Sequence, residues 1–208
     1  PIAPITRPAG AGPYPLSPGQ QRLWFLDRLE PGGFAYNMPA ALRIRGPLDV
    51  DALDASLCSL VQRHAILRTT FVEIENAPGA VSPAQVIGAA PEAVLERHEW
   101  AGDPVPAGAL PAPLLAEITA EASRPFELGR GPLLRARLLR LASDDHLLIV
   151  TMHHIVSDGW SIGVLVREIA GGYAAARRGE EGGSPLPLQY TDYAAWQRDR
   201  LGPESVAL

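Results

Sequence analysis

The sequence predicts a mixed fold of helices and strands, in the α/β or α+β class. Apolar residues recur at helical spacing from Val50 to Val61, and again in the segment that follows Asp158. Residues 147–152 are almost continuously apolar, and six of the nine residues 133–141 are apolar, which is typical of strands buried on both faces. With 208 residues, 47% of them hydrophobic, the chain can bury the core of one domain or one large lobe.

Local patterns place the remaining elements. Ser17 followed by Pro18 is typical of a helix start, and leucines at spacing three carry this helix to Leu29. The polar residues 143–145 separate the two apolar segments, which predicts a hairpin. Three further strands and two further helices are expected, at residues 41–45, 67–73 and 85–87 and at residues 114–124 and 190–200.

The chain divides into a short N-terminal linker and one folded unit. Residues 1–15 hold five prolines and show no apolar period, so we expect an extended linker from a preceding domain. Residues 16–208 are expected to form the folded lobe. Because the chain begins at Pro1 rather than Met, we expect it to be part of a longer protein.

Composition excludes several classes of function. The net charge is −5 and the 18 basic residues are scattered, so no basic stripe for nucleic acid is present. A single cysteine, Cys58, permits no intramolecular disulfide, which fits a reducing cytoplasm. No apolar run reaches the ~18 residues that a membrane span needs, and no signal peptide is present, so no membrane partner is expected.

The chemistry-bearing residues concentrate where the last apolar strand ends. Two adjacent histidines, His153 and His154, terminate this strand, and Asp158 and Gly159 follow at the start of a helix. Successive strand side chains face opposite sides, so one histidine can face a cavity while the other packs inside. Histidine suits acid–base work because its pKa lies near neutral pH, and Asp158 could orient it.

From the residues alone, three interpretations stay open. The histidines can be structural, with Asp158 as a helix cap. They can bind a metal together with Asp158, although their opposite directions argue against one shared ion. The third interpretation is a histidine-dependent acyl-transfer site.

Residues 159–163 also match the G-x-S-x-G pattern of serine hydrolases. That pattern needs its serine at a sharp turn directly after a strand, whereas Ser161 falls in the first turn of the expected helix. All five histidines lie at or before His154, so no histidine follows the serine to complete the triad in the hydrolase order. A serine-hydrolase site is therefore excluded within this chain.

The segment MHHIVSDGWS, Met152–Ser161, resembles the HHxxxDG signature of condensation domains of non-ribosomal peptide synthetases. Three other segments resemble further motifs of this family in order and spacing: SPGQQRLWFL at residues 17–26, RHAILRTTF at residues 63–71 and YTDYAAWQ at residues 190–197. Ala65 stands in the second of these segments where glutamate is usual, and we expect only a local effect. Together the segments span nearly the whole chain.

The resemblance implies a chloramphenicol-acetyltransferase-like lobe, an α+β sandwich with a mostly antiparallel or mixed sheet covered by helices. The family domain has two such lobes with a tunnel between them. The later motifs are absent from this chain, so we expect the N-terminal, donor-side lobe only, without its C-terminal lobe. The isolated fragment is then expected to be inactive.

The resemblance also implies the reaction and its partners. Peptidyl or acyl carrier proteins deliver both substrates as thioesters on phosphopantetheine arms, and the acceptor amine attacks the donor carbonyl to form a peptide bond. The expected partners are these carriers and the adjacent synthetase domains. No metal and no directly bound cofactor is expected.

Carried over residue by residue, the second histidine of the signature is His154, which would act as general base or position the amine. Asp158 would form a salt bridge that shapes the site, with Arg68 as the expected partner and Arg63 as its rival. Gly159 would lie close to the reacting centre through its backbone.

The other residues of the signature would support the site. His153 would be structural. Trp160 and Ser161 would serve in packing and in support of the loop.

Two other functions stay open at this point. The first is a non-catalytic, condensation-like module that recruits a partner through its surface. The second is a stand-alone acyltransferase that uses coenzyme A thioesters and carries the same motif.

Overall fold

The computed structural model describes residues 5, 12–106, 109–180 and 182–201. Its helices are α1 (Pro18–Leu29), α2 (Val50–Arg63), α3 (Ala112–Ser123), α4 (Gly159–Arg177) and α5 (Tyr190–Leu201), with a 3₁₀ turn at Ala65–Arg68. Its strands are β1 (Tyr14–Pro15), β2 (Asn37–Arg45), β3 (Thr69–Ala77), β4 (Ala80–Ile87), β5 (Leu95–Glu99), β6 (Leu134–Ala142) and β7 (Asp145–His153). None of the helices in the described ranges is long and apolar enough to cross a membrane.

The strands form two sheets. The larger sheet has the order β2-β7-β6-β5, with antiparallel pairs except for the parallel edge pair β5-β6. The smaller sheet has the order β1-β4-β3 and is antiparallel throughout. The expected α+β class with a mixed sheet is confirmed.

Strand β7 is the central element of the larger sheet. It pairs with β2 on one side and with β6 on the other, and every residue from His146 to His153 is buried. The expected hairpin is confirmed, because β6 and β7 pair directly across the turn near Asp145. The first histidine of the signature, His153, thus stands at the end of a strand that is held on both edges.

Helices α2 and α4 pack against each other beside this sheet. Asp49 caps α2 by accepting a hydrogen bond from the Ala52 amide at 3.0 Å. At Gly172 the helices approach so closely that an added Cβ would lie 2.5 Å from the Ser56 hydroxyl. This close contact holds α4, and with it the segment that precedes its N-terminus, against the core.

Three local features differ from the expectations. Tyr14 and Pro15, the last residues of the expected linker, pair with β4, while most of residues 1–11 lie outside the described residues. The strand expected from residue 67 begins at Thr69, because residues 65–68 form the 3₁₀ turn. Strand β5 was not predicted, since only its first residue, Leu95, is buried and an edge strand of this kind carries no apolar alternation.

Candidate active site

A tight loop connects the end of β7 to the start of α4 and carries the candidate catalytic residues. The loop folds back on itself, because the Val156 amide donates to the His153 carbonyl at 3.1 Å. The amide of His154 donates to the Tyr36 carbonyl at 2.8 Å, which ties the loop to the start of β2. Position and direction of the His154 side chain are therefore set by backbone hydrogen bonds.

His153 points into the protein interior. It is only 4% exposed, and its ring meets the edge of Phe126 with the ring centroids 6.1 Å apart. Its Nδ1 accepts the amide hydrogen of Ile155 at 3.1 Å. Burial, with a smaller contribution from His154, lowers the pKa of His153 to about 4. The ring is therefore neutral near pH 7 and holds the loop from inside.

His154 points the other way and is exposed. Its Nδ1 lies 2.6 Å from the carbonyl oxygen of Ser157. A carbonyl oxygen can only accept, so Nδ1 carries the hydrogen of this bond. In the neutral imidazole, Nε2 then holds the free lone pair and can accept a proton from a ligand.

Asp158 is the N-cap of α4. Its carboxylate accepts the Ser161 amide at 2.8 Å and the Ser161 hydroxyl at 2.6 Å. These hydrogen bonds, the hydroxyl first, lower the pKa of the Asp158 carboxyl and keep it ionised. Ser161 thereby supports the loop. It lies in the first turn of α4, and not at the sharp turn after a strand where a serine hydrolase carries its nucleophile.

The expected salt bridge from Asp158 to an arginine is wrong. Arg68 Nη1 donates to the Gly88 carbonyl at 2.5 Å, and Arg63 pairs with Glu168 at 2.6 Å. Within the described ranges no ion pair joins Asp158 to either arginine. Instead, Oδ1 of Asp158 serves the helix cap, and each arginine binds an acceptor elsewhere in the fold.

Gly159 and Trp160 face open space. A Cβ added to Gly159 would meet nothing within 4 Å. Trp160 is 80% exposed, so its expected role in packing is wrong within this lobe. Both residues directly follow the loop that carries His154. Another domain or a ligand could approach the loop from their open side.

A cavity of about 490 Å³ unites the four sequence segments of the resemblance. The first segment contributes Gln20, the second contributes His64, the third contributes His154 and Asp158, and the fourth contributes Tyr190. The volume lies within the range of small-molecule sites. Segments that are far apart in sequence therefore meet at one place, and His154 stands on its wall.

Gln20 is a supporting residue that the sequence pattern did not reveal. Its side-chain nitrogen donates to Gln85 at 3.1 Å and to the Ile155 carbonyl at 3.4 Å. Its side-chain oxygen accepts the Ser17 amide at 2.9 Å, which completes the capping box of α1. The spacing of Ser17 and Gln20 is the signal for this cap, but only the fold shows that the Gln20 side chain also holds the loop between β7 and α4.

His64 is a second histidine on the cavity wall. Its Nε2 lies 2.8 Å from Glu168, whose other oxygen binds Arg63 at 2.6 Å. Burial opposes ionisation of Glu168, but the hydrogen bonds from His64 and Arg63 lower the pKa of this carboxyl overall. This chain of contacts connects the end of α2 to the middle of α4.

The metal interpretation finds no support in the geometry. His153 and His154 point to opposite sides of the loop, and His153 uses its Nδ1 for the Ile155 amide. Among the residues that the structure describes, no three histidine, cysteine or acidic side chains are grouped to hold an ion.

Comparison with known proteins places this geometry in a family. A family model described as the condensation domain matches residues 11–207. Phosphinothricin tripeptide synthetase PhsC of Streptomyces viridochromogenes is 45% identical over 196 residues, which cover 94% of this chain and 17% of that protein. Malpibaldin synthetase of Mortierella alpina is 42% identical over 195 residues, which cover 93% of this chain and 3% of that protein. The chain thus spans a small part of these relatives.

Solved structures share the fold. The X-domain from teicoplanin biosynthesis superimposes with a TM-score of 0.76 at 35% identity, over 96% of this chain and 40% of that one. The first condensation domain of the CDA synthetase gives a TM-score of 0.76 at 24% identity, over 89% of this chain and 46% of that one, which shows the fold alone. Since the family model spans nearly all of the sequence, the chain belongs to the condensation-domain family.

Proposed function

We propose that residues 16–208 form the N-terminal, donor-side lobe of a condensation domain that makes peptide bonds in a non-ribosomal peptide synthetase. The names of the relatives support this proposal, because they include a tripeptide synthetase and a nonribosomal peptide synthetase. The proposal includes residues 1–15 as the linker from a preceding carrier domain. It also includes a cytoplasmic location.

One observation carries the chemical part of the proposal. Nδ1 of His154 donates its hydrogen to the Ser157 carbonyl, and the nitrogen and oxygen are 2.6 Å apart. His154 lies on the wall of the cavity where the four segments meet. This fixed tautomer presents the basic Nε2 atom without any rearrangement of the ring. A preoriented base of this kind is what amide formation from an amine needs.

The proposed reaction uses His154 as its base. The nitrogen of the acceptor amine attacks the carbonyl carbon of the donor thioester, and a C–N bond forms. Nε2 of His154 accepts the proton that the amine loses. The C–S bond then breaks, and the departing thiolate takes up a proton from the imidazolium. The histidine returns to its neutral tautomer with Nδ1–H still bound to Ser157.

Asp158 and Gly159 serve this step indirectly. The Asp158 carboxylate caps α4 and lies near His154 as a negative charge that would attract positive charge developing at the site during the reaction. Gly159 leaves the approach to the loop open, because no side chain there occupies the space. We place Asp158 and Gly159 with His154 as the working residues, and His153 and Ser161 as their support.

The lobe alone is proposed to be inactive. Trp160 and Gly159 open towards space that a second lobe would fill, and the chain covers less than half of the solved condensation domain. The substrates are proposed to arrive on phosphopantetheine arms of carrier proteins, so that the chain itself needs no directly bound cofactor.

The proposal is tested by joining the chain to a C-terminal lobe of the same family and supplying two loaded carrier proteins. We expect dipeptide formation by the two-lobed protein, and its loss on His154→Ala. The matched control is His98→Ala, because His98 is an exposed histidine on β5 outside the cavity. Amide formation that persists undiminished in His154→Ala would contradict the proposal.

A second candidate function is favoured by one observation. In a structure of the complex of the X-domain and OxyB from teicoplanin biosynthesis, one chain is 34% identical to this chain and superimposes with a TM-score of 0.77. A module that recruits a partner protein through its surface is therefore the alternative. It predicts that His154→Ala leaves partner binding unchanged and that the two-lobed protein forms no amide.

A further inference from the structure

A second and larger cavity lies apart from the candidate active site. Its volume is about 730 Å³, and it shares no lining residue with the cavity around His154. The 3₁₀ turn separates the two, since Ile66 lines the active-site cavity whereas Leu67 and Arg68 line the larger one. We call it the arginine cavity, after Arg68, Arg124, Arg130 and Arg135 in its wall.

Positive charge exceeds negative charge around the arginine cavity. Four arginines but only two carboxylates, Glu96 and Glu127, line it. Arg135 is already neutralised by the buried Glu121 at 2.6 Å, and Arg124 is 3.7 Å from Glu96. Arg68 and Arg130 form no ion pair within the described ranges, and Glu127 is the one lining carboxylate that is left, so the cavity keeps a net charge of about +1.

Arg68 is the least satisfied of these groups. It is partly buried, and the described residues provide it with no carboxylate. Its Nη1 donates to the Gly88 carbonyl at 2.5 Å, while its Nε is buried and has no hydrogen-bond partner. A buried donor without an acceptor costs about 1–3 kcal/mol. Nε itself is closed to solvent, so a ligand oxygen would meet the terminal nitrogens of this guanidinium.

Arg130 stands on the rim of the same cavity. It is exposed and forms no ion pair within the described ranges. An arginine guanidinium presents a planar set of donors that matches a carboxylate or a phosphate. Both arginines line the same cavity, so each can offer donors to an anion bound there.

The floor of the cavity is apolar. Val61, Leu67, Phe126 and Leu134 are buried core residues that also line it. Its volume lies within the ~300–1,000 Å³ range of small-molecule sites, which combine an apolar lining with a few polar groups. The chemistry thus fits a molecule with an anionic head and an apolar body.

We propose that the arginine cavity binds an organic anion, with a carboxylate or phosphate head on Arg68 and Arg130 and an apolar body against Phe126 and Leu134. This site is distinct from the acyl-transfer site and does not depend on the chemistry of His154. It assigns to Arg68 the recognition of a ligand in place of the salt bridge to Asp158.

The test measures binding of octyl phosphate, octanoate and octanol to the 208-residue chain by calorimetry. Both anions are expected to bind at least about tenfold more tightly than octanol, because charge-assisted hydrogen bonds to arginine add to the apolar contact. Their relative affinity identifies the preferred head group. Equal affinity of octanol and both anions would overturn the proposal.

Variants locate the bound anion. Arg68→Gln is expected to weaken anion binding by about tenfold or more, and Arg130→Gln by a smaller factor. Arg130 is exposed, so its variant stays informative if Arg68→Gln fails to fold. Arg97→Gln, on β5 outside the cavity, and His154→Ala are expected to bind like the wild type. Wild-type affinity in both Arg68→Gln and Arg130→Gln, or a loss in His154→Ala, would overturn the assignment.

Discussion

The carbonyl oxygen of Ser157 lies 2.6 Å from Nδ1 of His154, three residues earlier in the same loop. This contact fixes which nitrogen of His154 carries the hydrogen and leaves the lone pair on Nε2, in a residue that lines the cavity. The preceding histidine, His153, is locked in the core by a different contact, to the Ile155 amide. Two adjacent histidines thus differ in their surroundings, because His154 donates to a backbone carbonyl and His153 accepts from a backbone amide.

The first prediction concerns the tautomer of His154. With neutral imidazole, we expect the hydrogen on Nδ1, because the Ser157 carbonyl can only accept. Nitrogen-15 NMR of the labelled protein at mildly alkaline pH measures this directly, and His154→Ala assigns the resonance. A hydrogen on Nε2 would show that the Ser157 contact does not exist in solution.

The second prediction concerns stability at low pH. The pKa of His153 is about 4 in the folded protein, below the ~6.5 of an unfolded histidine, so the unfolded state binds a proton first as the pH falls. The stability contributed by neutral His153 is present above pH ~6.5 and is lost as the pH falls towards 4.

The variant His153→Asn removes this titration while its amide oxygen can still accept the Ile155 amide hydrogen. Between about pH 7 and about pH 5, urea unfolding should show that the wild type loses about 2 kcal/mol more than the variant. Parallel pH profiles of the two proteins would refute the account of His153.

The third prediction separates the two roles of Asp158. Asp158→Asn keeps an oxygen for the Ser161 amide, whereas Asp158→Ala removes the cap and should cost about 1 kcal/mol of stability. If the negative charge assists His154, Asp158→Asn also lowers the rate of amide formation in the two-lobed protein while the stability stays close to that of the wild type. An Asn variant with wild-type rate would reduce Asp158 to a helix cap.

The fourth prediction concerns the open space at Gly159. A Cβ at this position meets nothing within 4 Å, so Gly159→Ala should leave the stability of this chain within about 0.5 kcal/mol of wild type. In the two-lobed protein with substrates, the methyl group should reduce amide formation because it occupies the approach to His154. Gly163→Ala is the matched control, since its added Cβ also meets nothing within 4 Å. Equal rates for both variants would contradict the role of Gly159.

The sequence predicts the buried parts of this molecule well. Strand β7 and helix α2 carry strong apolar patterns, and both appear at the expected places. Strand β5 was missed because its single buried residue, Leu95, leaves no pattern to recognise. The opposite directions of His153 and His154 follow from strand geometry and could be predicted.

Long-range polar contacts could not be predicted in the same way. The cap of Asp158 is a local contact within one turn, whereas the partners of Arg63 and Arg68 depend on how distant segments pack. The role of Gln20 in holding the Ile155 carbonyl requires that α1 and the catalytic loop meet, which the local pattern at Ser17 does not show.

The most direct test of the central claim is a rate measurement with two loaded carrier proteins and three samples: this chain alone, the two-lobed protein, and the two-lobed His154→Ala variant. We expect amide formation in the second sample, and a rate at least about a hundredfold lower in the other two. Turnover by the isolated chain, or a His154→Ala variant as fast as the two-lobed wild type, would contradict it.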